Sequence, residues 1–195
     1  MIKISVLGIK EGIGKTTISL ALAKELSKEG RTLLVDKTPS CGLWRKIGLD
    51  GDFACQGQLC FLKLFKRPFR IEELDEDSIK SKLISAYKER WDYVVIDNFS
   101  CAVPENPIIG LDVDSLPIFV TDPFNVRVTL EYSERFFRKY GLIINLTQRE
   151  YKINKEISKL FQISVSIPVT EENDVGLFLL PLIADLKGRK QTLYE

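Results

Sequence analysis

Six consecutive residues have the types and order that could cradle a phosphate group: Gly12, Ile13, Gly14, Lys15, Thr16 and Thr17. Glycines let the backbone curl so that several N–H groups point at one phosphate, and a helix that starts here adds partial positive charge. Lys15 would neutralise the β- and γ-phosphates of a nucleotide, and the Thr16 hydroxyl would ligate Mg²⁺. The alternative is a glycine-rich turn that only joins a strand to a helix. We predict that these residues, with Glu11, bind ATP or a close relative together with Mg²⁺.

Two carboxylates and one amide close apolar runs elsewhere in the chain. Asp97 ends the run YVVID, Asp36 ends RTLLVD, and Asn145 ends a third run. Open α/β sheets bind ligands at the edge where their parallel strands end. We therefore predict that Asp97 and Asp36 lie at the edge of the sheet where a ligand binds. The alternative for each residue is a turn or a helix cap.

The elements that must position these residues alternate between strands and helices. Apolar runs predict strands at 2–7, 31–36, 93–97, 116–121, 142–146 and 163–167. Amphipathic patterns predict helices at 16–28, 77–90, 125–140 and 150–161 and after Asp174, whereas 37–74 and 98–114 have no regular pattern. This alternation predicts a doubly wound, mainly parallel α/β sheet with the P-loop NTPase fold. We expect a single nucleotide-binding domain over residues 1–195.

The phosphate loop resembles that of one family. Lys10-Glu11-Gly12-Ile13-Gly14-Lys15-Thr16-Thr17 is similar to the deviant loop K-G-G-x-G-K-T-T of the ParA/MinD family, from which only Glu11 departs. The general pattern G-x-x-x-x-G-K-[ST] would require glycine where the chain has Ile9. The resemblance implies that Lys10 acts catalytically, by reaching across a nucleotide-sandwich homodimer to the phosphates bound by the partner subunit.

Weaker motifs of the same family follow in the expected order. The strand ending at Asp97 resembles the one whose aspartate holds a Mg²⁺-bound water, and the strand ending at Asp36 resembles the family's second strand. The resemblance implies that Asp97 acts at the metal and in catalysis and that Asp36 also lies at the metal. Asn145 resembles the asparagine that reads the adenine edge, and Pro168 resembles the proline beside the base. Two motifs depart from the family. Thr38 stands where an aspartate usually positions the attacking water, and Asp97-Asn98-Phe99-Ser100 replaces D-T-P-P.

The resemblance implies a Mg²⁺-dependent ATPase switch that dimerises around ATP and partitions or positions DNA or another cargo with an unidentified adaptor protein. Thr38 implies slow hydrolysis. It therefore leaves open a nucleotide-binding switch with little hydrolysis. A metal or iron–sulfur delivery ATPase is the other alternative, because some members of the family carry metal on cysteines near the segment that follows Asp97.

Composition limits the chemistry further. The 195 residues carry a net charge of +1 and no histidine, which excludes Ser-His-Asp catalysis and histidine-based zinc sites. The cysteines have no CxxC spacing, so we expect buried thiols, with a Cys55–Cys60 disulfide and a metal site that includes Cys101 as the alternatives.

Three features bear on location and on partners outside the nucleotide site. The chain shows no signal peptide and no transmembrane segment, so we expect a cytoplasmic protein. The basic-aromatic run 61–70 would be a helix that caps the sheet or contacts a membrane or a partner. Lys187, Arg189 and Lys190 could give a weak contact with DNA phosphates.

Overall fold

The computed structural model describes residues 1–49, 51–65, 75–149 and 151–192. The strands are β1 (Ile2–Leu7), β2 (Thr32–Lys37), β3 (Phe53–Gln56), β4 (Leu59–Lys63), β5 (Tyr93–Asn98), β6 (Leu116–Thr121), β7 (Gly141–Thr147) and β8 (Ile163–Pro168). The helices are α1 (Lys15–Leu26), α2 (Gly42–Ile47), α3 (Glu76–Tyr87), α4 (Pro107–Gly110), α5 (Val126–Ser133), α6 (Lys155–Ser158), α7 (Val175–Phe178) and α8 (Leu180–Thr192).

The described strands form one sheet in the order β3-β4-β2-β5-β1-β6-β7-β8. Every neighbouring pair is parallel except β3 with β4. Successive side chains of a strand point to opposite faces. Leu34 accordingly packs in the same cluster as α1 and α8, whereas Leu33 and Val35 pack in the cluster of α3. Burial on both faces explains the continuous apolar runs and confirms the predicted doubly wound, mainly parallel fold.

Helix α1 starts where the phosphate loop ends. Gly14, its capping residue, has a φ of 89°, a left-handed conformation that suits glycine. Ile18, Leu22 and Leu26 are fully buried, as their spacing predicts. The helix spans Lys15–Leu26 rather than 16–28. The loop therefore leads straight into a helix whose first turn faces the carboxyl ends of the strands.

The prediction that 37–74 is irregular is wrong for residues 42–47, 53–56 and 59–63. The segment contains α2 and the hairpin of β3 and β4, which turns at Gly57, whose φ is 62°. Residues 61–63 of the basic-aromatic run lie in β4, which pairs with β2, so they are not helical. Residues 66–74 lie outside the described part of the chain. Strand β3 escaped prediction because it has only four residues and lies at the exposed edge.

Two predicted helices are shorter than expected. The helix predicted at 125–140 ends at Ser133, because the chain turns there and packs Phe136 against Phe119, with ring centroids 5.2 Å apart. Of the helix predicted at 150–161, only Lys155–Ser158 is helical, and residue 150 lies outside the described residues. The predicted loop 98–114 holds the short helix α4.

The expectation of buried thiols is wrong for three of the four cysteines. Cys55 and Cys60 face each other across the β3–β4 hairpin and form a disulfide. Cys41 is a buried free thiol, as expected, but the free thiol of Cys101 is exposed. Among the described residues no cluster of three histidine, cysteine or carboxylate side chains could hold a metal ion. A cysteine metal site therefore has no support there.

Each cation of the C-terminal basic cluster is paired with a carboxylate: Lys187 with Glu29, Arg189 with Asp185 and Lys190 with Asp92. Because of these ion pairs, less positive charge is available to bind the phosphates of DNA than the sequence alone suggests. None of the helices in the described ranges has the length and apolar character needed to cross a membrane.

Candidate nucleotide-binding site

The phosphate loop lies at the edge of the sheet where the central parallel strands end. It follows β1, and Asp36, Asp97 and Asn145 lie in the last residues of β2, β5 and β7. A cleft of about 460 Å³ opens there, lined by residues 11–12, 14–17, 38–40 and 98–100. The fold thus brings most of the predicted site residues together.

Two glycines and one asparagine shape the loop. Gly12 and Gly14 both have positive φ values, 76° and 89°. The Asn145 amide donates a hydrogen bond to the Ile13 carbonyl at 2.8 Å, and a Cβ on Gly14 would lie 2.4 Å from Asn145 Nδ2. The Ile13 side chain is buried in the core, so only its backbone can face a ligand. Asn145 therefore supports the loop directly, which the adenine role alone would not predict.

The Lys15 ammonium is held at the loop by neutral oxygens. It donates to the Lys10 carbonyl at 3.0 Å and to Ser100 Oγ at 2.9 Å. Burial lowers the pKa of Lys15, and the nearby charges of Asp97 and Glu11 partly oppose this shift. A buried cation with uncharged hydrogen-bond partners is suited to receive an anion such as phosphate.

Asp97 is fully buried beside the loop. Its carboxylate accepts hydrogen bonds from Thr16 Oγ1 at 2.7 Å and from Ser19 Oγ at 3.2 Å. Burial raises the pKa of Asp97 to about 7; the charge of Asp36 adds to this shift, and the Thr16 hydrogen bond opposes it. A cation would stabilise the ionised form of this carboxyl group.

Asp36 lies directly opposite Asp97 in the parallel register of β2 and β5. Its Oδ1 accepts from the Thr38 backbone N–H at 2.8 Å and from Thr38 Oγ1 at 2.6 Å. Its Oδ2 is buried and has no hydrogen-bond partner among the described residues, and burial raises the pKa of Asp36. An unsatisfied carboxylate oxygen beside Asp97 and the Thr16 hydroxyl fits Mg²⁺ or its water shell, because Mg²⁺ binds through one or two carboxylates plus substrate phosphates.

The remaining predicted site residues lie around this centre. Lys10 is about half exposed and forms an ion pair with Asp122 at 3.1 Å. Glu11 is exposed, and the Thr17 hydroxyl accepts a hydrogen bond from Lys46. Pro168 is half-buried at the end of β8, beside Thr147 of β7. A role for Pro168 at the base therefore stays a prediction.

Sequence reasoning missed three partners of the predicted residues. Ser19 lies one helical turn after Thr16, and that spacing could have placed it on the same face as Thr16. Ser100 and Asp122 contact Lys15 and Lys10 from loops that are distant in sequence. Asp122 directly follows a predicted strand, much as Asp36 and Asp97 end predicted strands. That position could have placed Asp122 at the same edge of the sheet. The sequence around Ser100 does not indicate a contact with Lys15.

Comparison with known proteins agrees with this geometry. The family model of the CobQ/CobB/MinD/ParA nucleotide binding domain matches residues 4–175. Comparison with curated protein sequences gave no significant match.

Solved structures with the same fold include the following three. A plasmid partition protein from Borrelia burgdorferi bound to AMPPNP is 17% identical with a TM-score of 0.63, over 97% of this chain and 99% of that chain. The septum site-determining protein MinD from Pyrococcus horikoshii with Mg-ADP is 17% identical with a TM-score of 0.66, over 97% and 98%. A chain of the MinC:MinD cell division complex of Aquifex aeolicus is 16% identical with a TM-score of 0.68, over 96% of each.

At these identities the solved structures support the fold alone, whereas the family model spans the loop, both strand-end aspartates and Asn145. The chain belongs to the CobQ/CobB/MinD/ParA family of nucleotide-binding domains, as a ParA/MinD-like P-loop protein.

Proposed function

We propose that this chain is a Mg²⁺-dependent ATP-binding switch that dimerises around ATP and hydrolyses it slowly. The observation that carries the proposal is the group formed by Thr16, Asp97 and Asp36 next to the Lys15 ammonium. Lys15 and the loop amides would hold the phosphates. The Thr16 hydroxyl and the two carboxylates would hold Mg²⁺ and its waters. When bound, Mg²⁺ would neutralise phosphate charge.

The bound nucleotide of this proposal is an adenine nucleotide. The Borrelia burgdorferi partition protein is bound to AMPPNP, and the Pyrococcus horikoshii MinD is complexed with Mg-ADP. Asn145 lies at the end of β7, where the family places its adenine-reading asparagine, and its amide is already in contact with the loop. Asn145 would then serve both the loop and the base.

A homodimer is the second part of the proposal. Lys10 is half exposed at the loop, and its ammonium is paired with Asp122 rather than with the subunit's own phosphate site. Such a lysine can exchange Asp122 for a phosphate bound by a second copy. The dimer would engage a cargo or an adaptor protein, since proteins of similar structure include a plasmid partition protein and the MinC:MinD complex.

Thr38 favours a second candidate, a switch that binds nucleotide but scarcely hydrolyses it. The Thr38 hydroxyl donates to Asp36 and carries no charge that could orient a water molecule. The metal or iron–sulfur alternative is weaker, because the disulfide occupies two of its three candidate cysteines.

The test is sizing by light scattering with Mg²⁺ and a non-hydrolysable ATP analogue. We expect a dimer for the wild type and a nucleotide-bound monomer for Lys10→Ala. The control is Lys80→Ala on α3, which removes an ion pair with Glu76 at the surface and should leave the dimer intact. A monomeric wild type that still binds the analogue would remove the dimer from the proposal.

A further inference from the structure

Ser100 contacts the phosphate-binding lysine from a different part of the chain. Its Oγ lies 2.9 Å from Lys15 Nζ and accepts one of the ammonium hydrogens. The serine belongs to the loop after β5, and this loop lines the same cleft as the phosphate loop. No other side chain in the described residues hydrogen-bonds to Lys15, since its second partner is a backbone carbonyl.

Backbone contacts fix the position of this serine. The next residue, Cys101, has a φ of 57°, which is uncommon for a residue with a Cβ. Its N–H donates to the Gly8 carbonyl at 2.9 Å, and its Sγ donates to the Ile9 carbonyl at 2.9 Å. Gly8 itself is tightly packed, because a Cβ there would lie 3.1 Å from Lys15 Cδ. Ser100 is therefore held against Lys15 by the main chain on both sides of the contact.

The chemistry of the contact changes when a phosphate arrives. A phosphate oxygen is a stronger acceptor for the Lys15 ammonium than a hydroxyl, because both partners are charged. Once Lys15 turns to the phosphate, the Ser100 hydroxyl loses the hydrogen that it accepted and can rotate to donate its own.

Two other hydroxyls at the centre already donate their hydrogens to carboxylates. Thr16 donates to Asp97 and Thr38 donates to Asp36. The Asn98 amide, next to the loop, donates to the carbonyls of Val6 and Ile96. Ser100, by contrast, accepts a hydrogen bond from the Lys15 ammonium, which a bound phosphate would attract away from the serine.

We propose that Ser100 determines the preference of this site for a nucleoside triphosphate over a diphosphate, by donating its hydroxyl hydrogen to the terminal phosphate. This inference rests on the proposed function and extends it to a residue on the loop after β5. The terminal phosphate is the group that a diphosphate lacks, so the contact would exist only with the triphosphate.

The test compares the affinities for a non-hydrolysable ATP analogue and for ADP, both with Mg²⁺, by calorimetry. Ser100→Ala also removes an acceptor of Lys15 in the empty site, but that change affects both ligands equally, because both bring a phosphate to the lysine. The affinity ratio therefore isolates the third phosphate. We expect the ratio to fall about tenfold or more, the effect of one hydrogen bond to a charged group.

Two control variants complete the experiment. Ser100→Thr keeps a hydroxyl and should retain most of the preference, and Ser27→Ala at the exposed end of α1 should change neither affinity. An unchanged ratio in Ser100→Ala, or an equal loss for both ligands, would overturn the inference while leaving nucleotide binding intact. A wild type that binds neither ligand would overturn the proposed function and this inference together.

Discussion

Asp36 and Asp97 lie side by side at the ends of β2 and β5, opposite each other in the parallel register and almost fully buried. Two carboxyl groups in such a position repel each other when both are ionised. The charge of Asp36 indeed contributes to the raised pKa of Asp97. The pair therefore destabilises the folded protein when no cation is bound. A bound cation would remove this repulsion.

The first prediction concerns the pH dependence of stability without metal. The pKa of Asp97 rises from its ordinary 3.8 to about 7 in the folded protein. Between these two values the folded state holds a proton that the unfolded state has lost. The unfolding free energy should therefore fall as the pH rises through this window. Denaturant unfolding in a chelator at pH 5 and pH 7.5 measures the change.

The comparison variant is Asp97→Asn, which cannot titrate. Its unfolding free energy should fall less than that of the wild type between the two pH values. Equal slopes for both proteins would show that Asp97 does not carry a raised pKa. Adding Mg²⁺ at pH 7.5 should stabilise the wild type more than the variant.

The second prediction concerns Thr38. A carboxylate introduced by Thr38→Asp could orient an attacking water, a contribution on the order of a hundredfold to the rate. ATP hydrolysis should accelerate, with ATP affinity changed by only a few-fold. The metal-free protein should become less stable, because position 38 contacts the Asp36 carboxylate. Phosphate release and denaturant unfolding measure the two effects. Fast hydrolysis by the wild type, with no gain in the variant, would show that position 38 is not the switch position.

Local patterns predicted the centre of the sheet well and its distant contacts poorly. The apolar runs of β1, β2 and β5 indicate strands because both of their faces are buried. The ends of these runs also locate Asp36 and Asp97. Strand β3 is mostly exposed, so it has no continuous apolar run that would indicate a strand. The disulfide between Cys55 and Cys60 depends on the register of β3 with β4.

Contacts between residues far apart in sequence depend on the assembled fold. Ser100 reaches Lys15 across 85 positions. Lys37 looks like a turn residue after a strand, yet it is fully buried and paired with Asp112. The motif at Asp97–Ser100 locates Ser100 but not its partner, and no periodicity indicates either contact, because each joins parts of the chain that only the assembled fold brings together.

The third prediction separates the two glycines of the loop. Both have positive φ values, so alanine at either position should cost about 1–2 kcal/mol of strain. Only the Cβ of Gly14→Ala would also collide with Asn145, since a Cβ at Gly12 would have no non-neighbouring atom of the described residues within 4 Å. Gly14→Ala should therefore lower the unfolding free energy and the ATP affinity more than Gly12→Ala. Adding Asn145→Ala should recover part of the stability. An equal decrease in unfolding free energy for both single variants would show that a Cβ at position 14 does not collide with Asn145.

The fourth prediction concerns the buried pair of Lys37 and Asp112. The Lys37 ammonium donates to Asp112 and, at 2.8 Å, to the Ile108 carbonyl. Lys37→Met should lower the unfolding free energy by about 3–5 kcal/mol, because it leaves a buried carboxylate unpaired. Combining it with Asp112→Leu should restore most of the loss, since apolar replacement of both partners is often neutral. Denaturant unfolding of the three proteins tests this, and no recovery in the double variant would count against a simple pairing role.

The most direct measurement of the central claim is calorimetric titration of the wild type and Lys15→Ala with ATP and Mg²⁺. Lys15 supplies the positive charge at the loop, and within the described part of the chain its ammonium donates only to neutral oxygens. Its removal should therefore leave the unfolding transition close to that of the wild type. We predict saturable binding by the wild type and no measurable binding by the folded variant. Equal ATP affinity in the two proteins would contradict the assignment of this loop as the nucleotide site.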